Sequence, residues 1–259
     1  MKIGFCAGLD RIGDVAAAGF DYIEPPISAM AAWTEEEFEA KLNAARKTGL
    51  PVYSFNVMFP GDMALLDAGQ DARIREYLER AFRRVSLLGG RIAVFGSGRS
   101  RRRPEDMPYG AAFRRLRDVA AMVGDAAGKY GVTVVIEPLN RGETNMINSV
   151  AEGAALTAAV DHPHVRLLAD YYHIAVENQP PEDVARVGGV AHVHIATADG
   201  RYIPLTPASG YRRLFAALKK TGYSGGISIE GKCENLPAEG PLAVAMLKKN
   251  WDESSPDEA

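Results

Sequence analysis

The sequence predicts an α/β protein folded as one closed (β/α)8 TIM barrel, and three observations lead there. Short apolar, β-branched runs alternate with amphipathic stretches from end to end of the chain. Eight such runs occur in 259 residues, and eight strand–helix units in about 250 residues is the usual extent of a closed barrel. The turn after the first run reads Cys6-Ala7-Gly8-Leu9-Asp10. An open, doubly wound sheet would carry a glycine-rich phosphate turn there instead.

Strands are expected at 2–6, 20–24, 51–55, 91–95, 132–137, 165–169, 190–195 and 226–230. Helices are expected at 10–13, 34–48, 69–88, 106–129, 149–160, 181–187, 209–221 and 239–250. The second helix opens on Thr34-Glu35-Glu36-Glu37, a capping box, and closes near Gly49. The third sets Ile74, Leu78, Phe82 and Val85 on one face, the stripe of a helix packed on a sheet. Such alternation implies right-handed crossovers and a parallel sheet. A single barrel over 1–251 is expected, with the Asp/Glu/Ser/Pro-rich 252–259 as a flexible acidic tail.

Composition narrows the function. With 47% hydrophobic and 24% charged residues, the chain can bury one full core. A net charge of −3 gives no general pull toward nucleic acid or anionic membrane, so a small-molecule substrate is expected. No apolar run approaches the ~20 residues that span a bilayer. The opening MKIGFCAGLDRIGD runs into a strand and helix and is not a secretory signal. Cys6 and Cys233 make neither a disulfide framework nor a thiolate metal site, and a cytoplasmic protein is expected.

Four of the apolar runs end in a potential metal ligand: VTVVIE at Glu137, VRLLAD at Asp170, VAHVHI with His192 and His194, and GISIE at Glu230. A strand buried on both faces has little use for a carboxylate at its tip, because desolvating an unpaired charge is costly. Four tips around one cation remove that cost. In a barrel all four lie on strands five to eight, at the C-terminal ends where active sites gather. Three carboxylates and one imidazole form a hard, oxygen-rich set suited to one Mn²⁺, with Mg²⁺ or Co²⁺ as alternatives.

Further candidates surround this set. His192 and His194, two apart, point to one side of their strand. His194 is the expected ligand, and His192 a satisfied histidine one layer deeper, hydrogen-bonded to a ligand carboxylate. His173, three residues after Asp170 where the strand gives way to a loop, could touch a substrate oxygen. Pro138 ends the ladder after Glu137, so a short loop can fold Glu143 over the mouth as an acid/base partner opposite Glu230. Arginines 99, 101, 102 and 103 could clamp an anion, or could form a solvated or subunit-pairing loop. Glu24, at the tip of the second strand, is a secondary candidate, while His162 and His164 fall at the opposite face.

The segments EPLNRGE, DYYH, HVHIATADGR and SIE, in this order and spacing, resemble the xylose-isomerase-like barrel superfamily. Within it they look most like the sugar phosphate isomerase/epimerase group, which includes ketose 3-epimerases and hydroxypyruvate isomerases. The resemblance covers nearly the whole chain. It implies a divalent metal held by Glu137, Asp170, His194 and Glu230, catalysis by Glu143 with Glu230, and a substrate-oxygen contact from His173. The family's substrate-binding arginine lies six residues after the metal histidine, where this chain has Gly200; Arg201, one further on, is the expected substitute. The implied activity is isomerisation or epimerisation of a ketose, ketose phosphate or short hydroxy-keto acid through an enediolate. Homo-oligomers are common in this group. A dehydratase of the inosose type and a non-catalytic partner barrel are the alternatives. Few histidines and a negative charge argue against the superfamily's abasic-site endonucleases.

Overall fold

In a computed structural model describing residues 1–258, eight parallel strands form one nearly closed ring. They are β1 (Lys2–Cys6), β2 (Tyr22–Glu24), β3 (Ser54–Phe55), β4 (Ile92–Phe95), β5 (Thr133–Ile136), β6 (Val165–Asp170), β7 (His192–Ile195) and β8 (Gly226–Ile229). The ladder runs β2-β1-β8-β7-β6-β5-β4-β3. Its seam is closed by backbone bonds from Ile23 N–H to Pro51 O (3.0 Å) and from Asn56 N–H to Pro25 O (3.1 Å). Pro51 has no N–H to donate, and the ladder of β3 is correspondingly shorter than the expected 51–55.

The helices are α1 (Ile12–Ala17), α2 (Ile27–Ala32), α3 (Glu35–Thr48), α4 (Asp71–Leu87), α5 (Tyr109–Gly128), α6 (Val150–Val160), α7 (Tyr171–Val176), α8 (Asp183–Arg186), α9 (Ser209–Lys220) and α10 (Leu236–Glu253). The capping box of α3 is formed in both directions, and Gly49 ends the helix at φ +72°. Two helices, α2 and α7, were not expected. Each is only six residues long, less than two turns, too short to show a 3.6-residue repeat. Beyond α10, Ser254 is buried and its carbonyl accepts from Lys219 Nζ at 2.8 Å. No described helix is long and apolar enough to cross a membrane.

The ring separates two cores. Outside it, strand and helix side chains pack into one large apolar layer that includes the α4 stripe Ile74, Leu78, Phe82 and Val85. Inside, Ile92, Val94, Val135 and Leu168 form a small apolar cluster on one side. The other side is polar: Tyr22 OH meets Ser228 Oγ at 2.8 Å, with Ser54 and His192 buried nearby. Tyr22 fits because β1 and β8 give way to it. A Cβ on Gly4 would enter its ring, and one on Gly226 would lie 2.6 Å from its hydroxyl.

Gly4→Ala should therefore destabilise the fold by about 1–3 kcal/mol through overpacking. Gly13→Ala, in α1 with open space at its Cβ, should be neutral or stabilising by up to about 1 kcal/mol. Urea denaturation of both variants distinguishes the two outcomes.

Candidate active site

The four tips expected to meet do meet. One ligand atom from each of Glu137, Asp170, His194 and Glu230 lies within 4.8 Å of the others. Parallel register produces this: Asp170 pairs with His194 across β6 and β7, and His194 with Ser228 across β7 and β8. His194 Nδ1 faces Glu137 Oε1 at 3.1 Å and Glu230 Oε2 at 3.0 Å. Burial raises Asp170, to about 6, against the pull of Arg201 and His194. Burial also acts to raise Glu230, but His194 and Arg201 outweigh it and hold that carboxyl low. Burial disfavours a charged His194, yet Glu24 and Glu230 more than offset it and push the imidazole well above its usual range. Three carboxylates and one imidazole nitrogen converging on one small space are a donor set that fits a single hard divalent cation.

Asp170 does a second job. Its Oδ1 accepts the Tyr172 N–H at 2.8 Å and caps α7, so the chain leaves β6 directly into a helix rather than a loop. That turn buries His173 beside the quartet. His173 Nδ1 accepts the backbone N–H of Asn140 at 3.0 Å, which leaves the proton on Nε2. Nε2 is buried with no hydrogen-bond partner, 3.4 Å from Asp170 Oδ2. Burial lowers the pKa of His173, so it is a neutral donor awaiting an acceptor.

Arg201 reaches the same space despite its one-residue shift. Gly200 and Arg201 both take left-handed backbone, at φ +71° and +55°, which turns the chain back toward the barrel. The turn is fastened by Lys232 N–H to Arg201 O (2.7 Å) and Ile203 N–H to Lys232 O (2.8 Å). Gly231 allows the approach, since a Cβ there would lie 2.7 Å from the Tyr202 backbone. The guanidinium stacks on Tyr172 at 4.6 Å. It donates to Glu230 Oε2 at 2.6 Å, Asp170 Oδ2 at 3.2 Å and Glu143 Oε1 at 3.3 Å. Glu143 and Glu230 thus address one group from its two terminal nitrogens.

The arginine-rich loop is built inward. Arg101 is 1% exposed and donates to Phe95 O (3.2 Å) and Glu137 O (2.7 Å), tying together the ends of β4 and β5. Burial lowers it to about 10. Arg102 donates to Glu143 O at 3.1 Å, and Arg103 to the carbonyls of Pro104 and Met107. Three of the four cations thus brace the Glu143 loop and its neighbours, and do not form the anion clamp considered from sequence. Arg99 lies exposed.

Glu24 is central rather than secondary. It is fully buried and accepts from His194 Nε2 (2.7 Å), His192 Nε2 (2.9 Å), Ser54 Oγ (2.5 Å) and Ser228 Oγ (2.5 Å). Burial would raise its pKa, but the two histidines hold it well below the carboxylate range. The sequence carried a signal for it, because Ile23-Glu24-Pro25 repeats the Ile136-Glu137-Pro138 pattern of the first ligand. Cys6 lies near Glu24 and His194, but burial, with Glu24, keeps it a protonated thiol. Asn56, whose Nδ2 reaches Glu230 Oε1 at 3.2 Å, had no signal at all. His162 and His164 lie away from the site, bonded to Asp125 and Val132 O.

Residues 12–251 match the xylose isomerase-like TIM barrel family, and the chain belongs to it. It is 30% identical to a 2-oxo-tetronate isomerase of Cupriavidus necator, over 92% of this chain and 90% of that one. It is 29% identical to a 3-dehydro-D-guloside 4-epimerase of Escherichia coli, over 80% and 81%. Among solved structures, D-psicose 3-epimerase of Clostridium cellulolyticum H10 with D-tagatose superposes with a TM-score of 0.84, covering 97% of this chain and 99% of that one. At 19% identity that likeness concerns the fold alone. The kinship makes the chain an enzyme of the isomerase class.

Replacing Arg101 with Met strands two buried carbonyls. The fold should lose on the order of 3 kcal/mol in denaturant titrations.

Proposed function

We propose that this xylose isomerase-like barrel is a divalent-metal-dependent isomerase or epimerase of a ketose, ketose phosphate or short hydroxy-keto acid. The observation that carries this is the convergence of Glu137, Asp170, His194 and Glu230, with Glu143 and His173 facing the same space. Kinship with sugar and keto-acid isomerases and epimerases supports it. The quartet would hold the ion, Mn²⁺ as first choice. Once bound, it supplies Lewis-acid polarisation of a carbonyl and stabilises negative charge on its oxygen.

The remaining work falls to the protein's own groups. With the substrate's α-carbon between Glu143 and Glu230, one carboxylate removes its proton and an enediolate forms. For epimerisation the other carboxylate returns a proton to the opposite face; for isomerisation one base moves it between neighbouring carbons. His173 Nε2–H donates to the oxygen on which charge grows. Arg201, already spanning both bases, grips a substrate oxygen and turns with it from its carboxylate partners. Tyr172 beneath keeps the guanidinium in plane.

The test is proton exchange followed by NMR. In D₂O with Mn²⁺-loaded protein later freed of metal, deuterium should enter a carbon beside the carbonyl of a ketose, ketose phosphate or hydroxypyruvate, with a new isomer appearing. Loss of water would instead mean a dehydratase, and no exchange across the panel would overturn the proposal. Glu143→Gln should lower kcat by about 10²–10⁴-fold while Mn²⁺ affinity stays unchanged. Near-normal turnover would remove Glu143 from its role. Chelation by EDTA should abolish turnover and lower Tm, and Mn²⁺ should restore both.

A further inference from the structure

We propose that Glu24 is a positioning residue that selects which nitrogen of His194 is offered to the metal. The proposal rests on the metal-dependent function above. His194 is caught between two sets of acceptors: Nδ1 faces Glu137 and Glu230, and Nε2 faces Glu24. An ionised carboxylate only accepts hydrogen bonds, so both ring nitrogens of His194 face acceptors. When one gives up its proton to bind a cation, the other can keep its own, on either side. The Nε2···Glu24 Oε1 contact is the shorter, 2.7 Å against 3.1 and 3.0 Å. Glu24 and His194 are both fully buried, so no water can replace that bond.

Glu24 is itself immobilised. Ser54, Ser228 and His192 all donate to Oε2, which leaves Oε1 for His194. Tyr22 OH orients Ser228 from behind. A carboxylate with four donors cannot rotate without abandoning several of them at once. When a cation binds, Nε2 therefore keeps its proton, and Nδ1 is the nitrogen that would give its lone pair among Glu137, Asp170 and Glu230. The tip of β2 thus acts on a site built from β5 to β8 without contributing a ligand. Outer partners that fix a ligating histidine typically matter 10–100-fold in metal affinity.

Mn²⁺ titration of the full chain, by calorimetry and by loss of the free-ion EPR signal, tests this. Glu24→Met keeps the bulk and removes the acceptor, and should weaken Mn²⁺ binding 10–100-fold. Ser54→Ala removes a donor to Oε2 but leaves the His194 bond, and should bind within about threefold of the parent. Equal weakening in both variants would overturn the proposal in favour of general damage to the buried network. Equal affinity of Glu24→Met and parent would overturn it directly. A parent chain that binds no Mn²⁺ would instead defeat the metal-dependent function, and this proposal with it. ¹⁵N-histidine NMR of the Mg²⁺-loaded parent needs no variant: His194 should show a slowly exchanging Nε2–H and an unprotonated Nδ1. The reverse assignment would overturn the proposal even if Glu24→Met did not fold.

Discussion

Four carboxylates crowded into one barrel mouth, three of them buried, are the constraint from which the rest of this structure follows. Glu24, Glu137 and Asp170 are buried and Glu230 is half-buried beside them, where water screens them poorly and like charges at such range are unfavourable. Several polar side chains nearby relieve that repulsion. His194 lies between three of the carboxylates, and His192 and two serine hydroxyls saturate Glu24. Arg201 spans Asp170 and Glu230, while Arg101 sits behind Glu137. The polar half of the barrel interior exists because these groups need partners. The apolar cluster of Ile92, Val94, Val135 and Leu168 fills the half that carries no charge.

A site under such repulsion needs a rigid frame, and the barrel supplies one for the quartet. Asp170 and His194 lie within strands, while Glu137 and Glu230 follow directly after β5 and β8. Parallel register then fixes their spacing to within hydrogen-bond tolerances. Glu143 and Arg201 differ, standing on loops after β5 and β7 that need separate bracing. Arg102 holds the carbonyl of Glu143, and the Lys232 backbone holds the Arg201 turn. The division leaves the quartet on strand ends, set by the sheet register, and Glu143 and Arg201 on loops, set by side-chain and backbone braces.

This division also explains what could be read in the sequence. Strand tips declare themselves because a charge at the end of an apolar run is anomalous, and the quartet was visible for that reason. The eight strands were visible for the same cause, since burial on both faces imposes unbroken apolar runs. Contacts set by tertiary geometry left weaker marks. The inward course of Arg101 depends on a loop path that no local pattern encodes, so the arginine cluster left an anion clamp, a solvated loop and a subunit-pairing loop all open. Asn56 meets Glu230 only because the ring brings β3 opposite β8. Glu24 bore the same tip signature as Glu137, but its value depends on two histidines more than 160 residues away, and only folding joins them. The helix α7 was hidden because Asp170 serves both as a strand tip and as a helix cap, two roles read by different rules.

Strained backbone gathers at the same end of the barrel. Val57, Ser97, Ile147 and Arg201 all adopt positive φ, in the segments that follow β3, β4, β5 and β7. For a β-branched residue such as Val57 that conformation costs on the order of 1–3 kcal/mol, and it persists only where neighbours enforce it. Here the neighbours are identifiable. Asn56 is held by Pro25 O and Glu230, and Tyr77 OH donates to Met58 O at 2.5 Å, so Val57 is bent between two fixed points. Ser97 is fixed through its hydroxyl, which accepts the Phe59 N–H at 2.9 Å and links the loops after β3 and β4. Arg201 is enforced by the two backbone bonds to Lys232. For Val57, Ser97 and Arg201 the distortion is maintained by contacts that also tie together the segments at the mouth. The strain is therefore part of how a set of loops, with no regular structure to stiffen them, presents Glu143, Asn56 and Arg201 to the quartet in one arrangement.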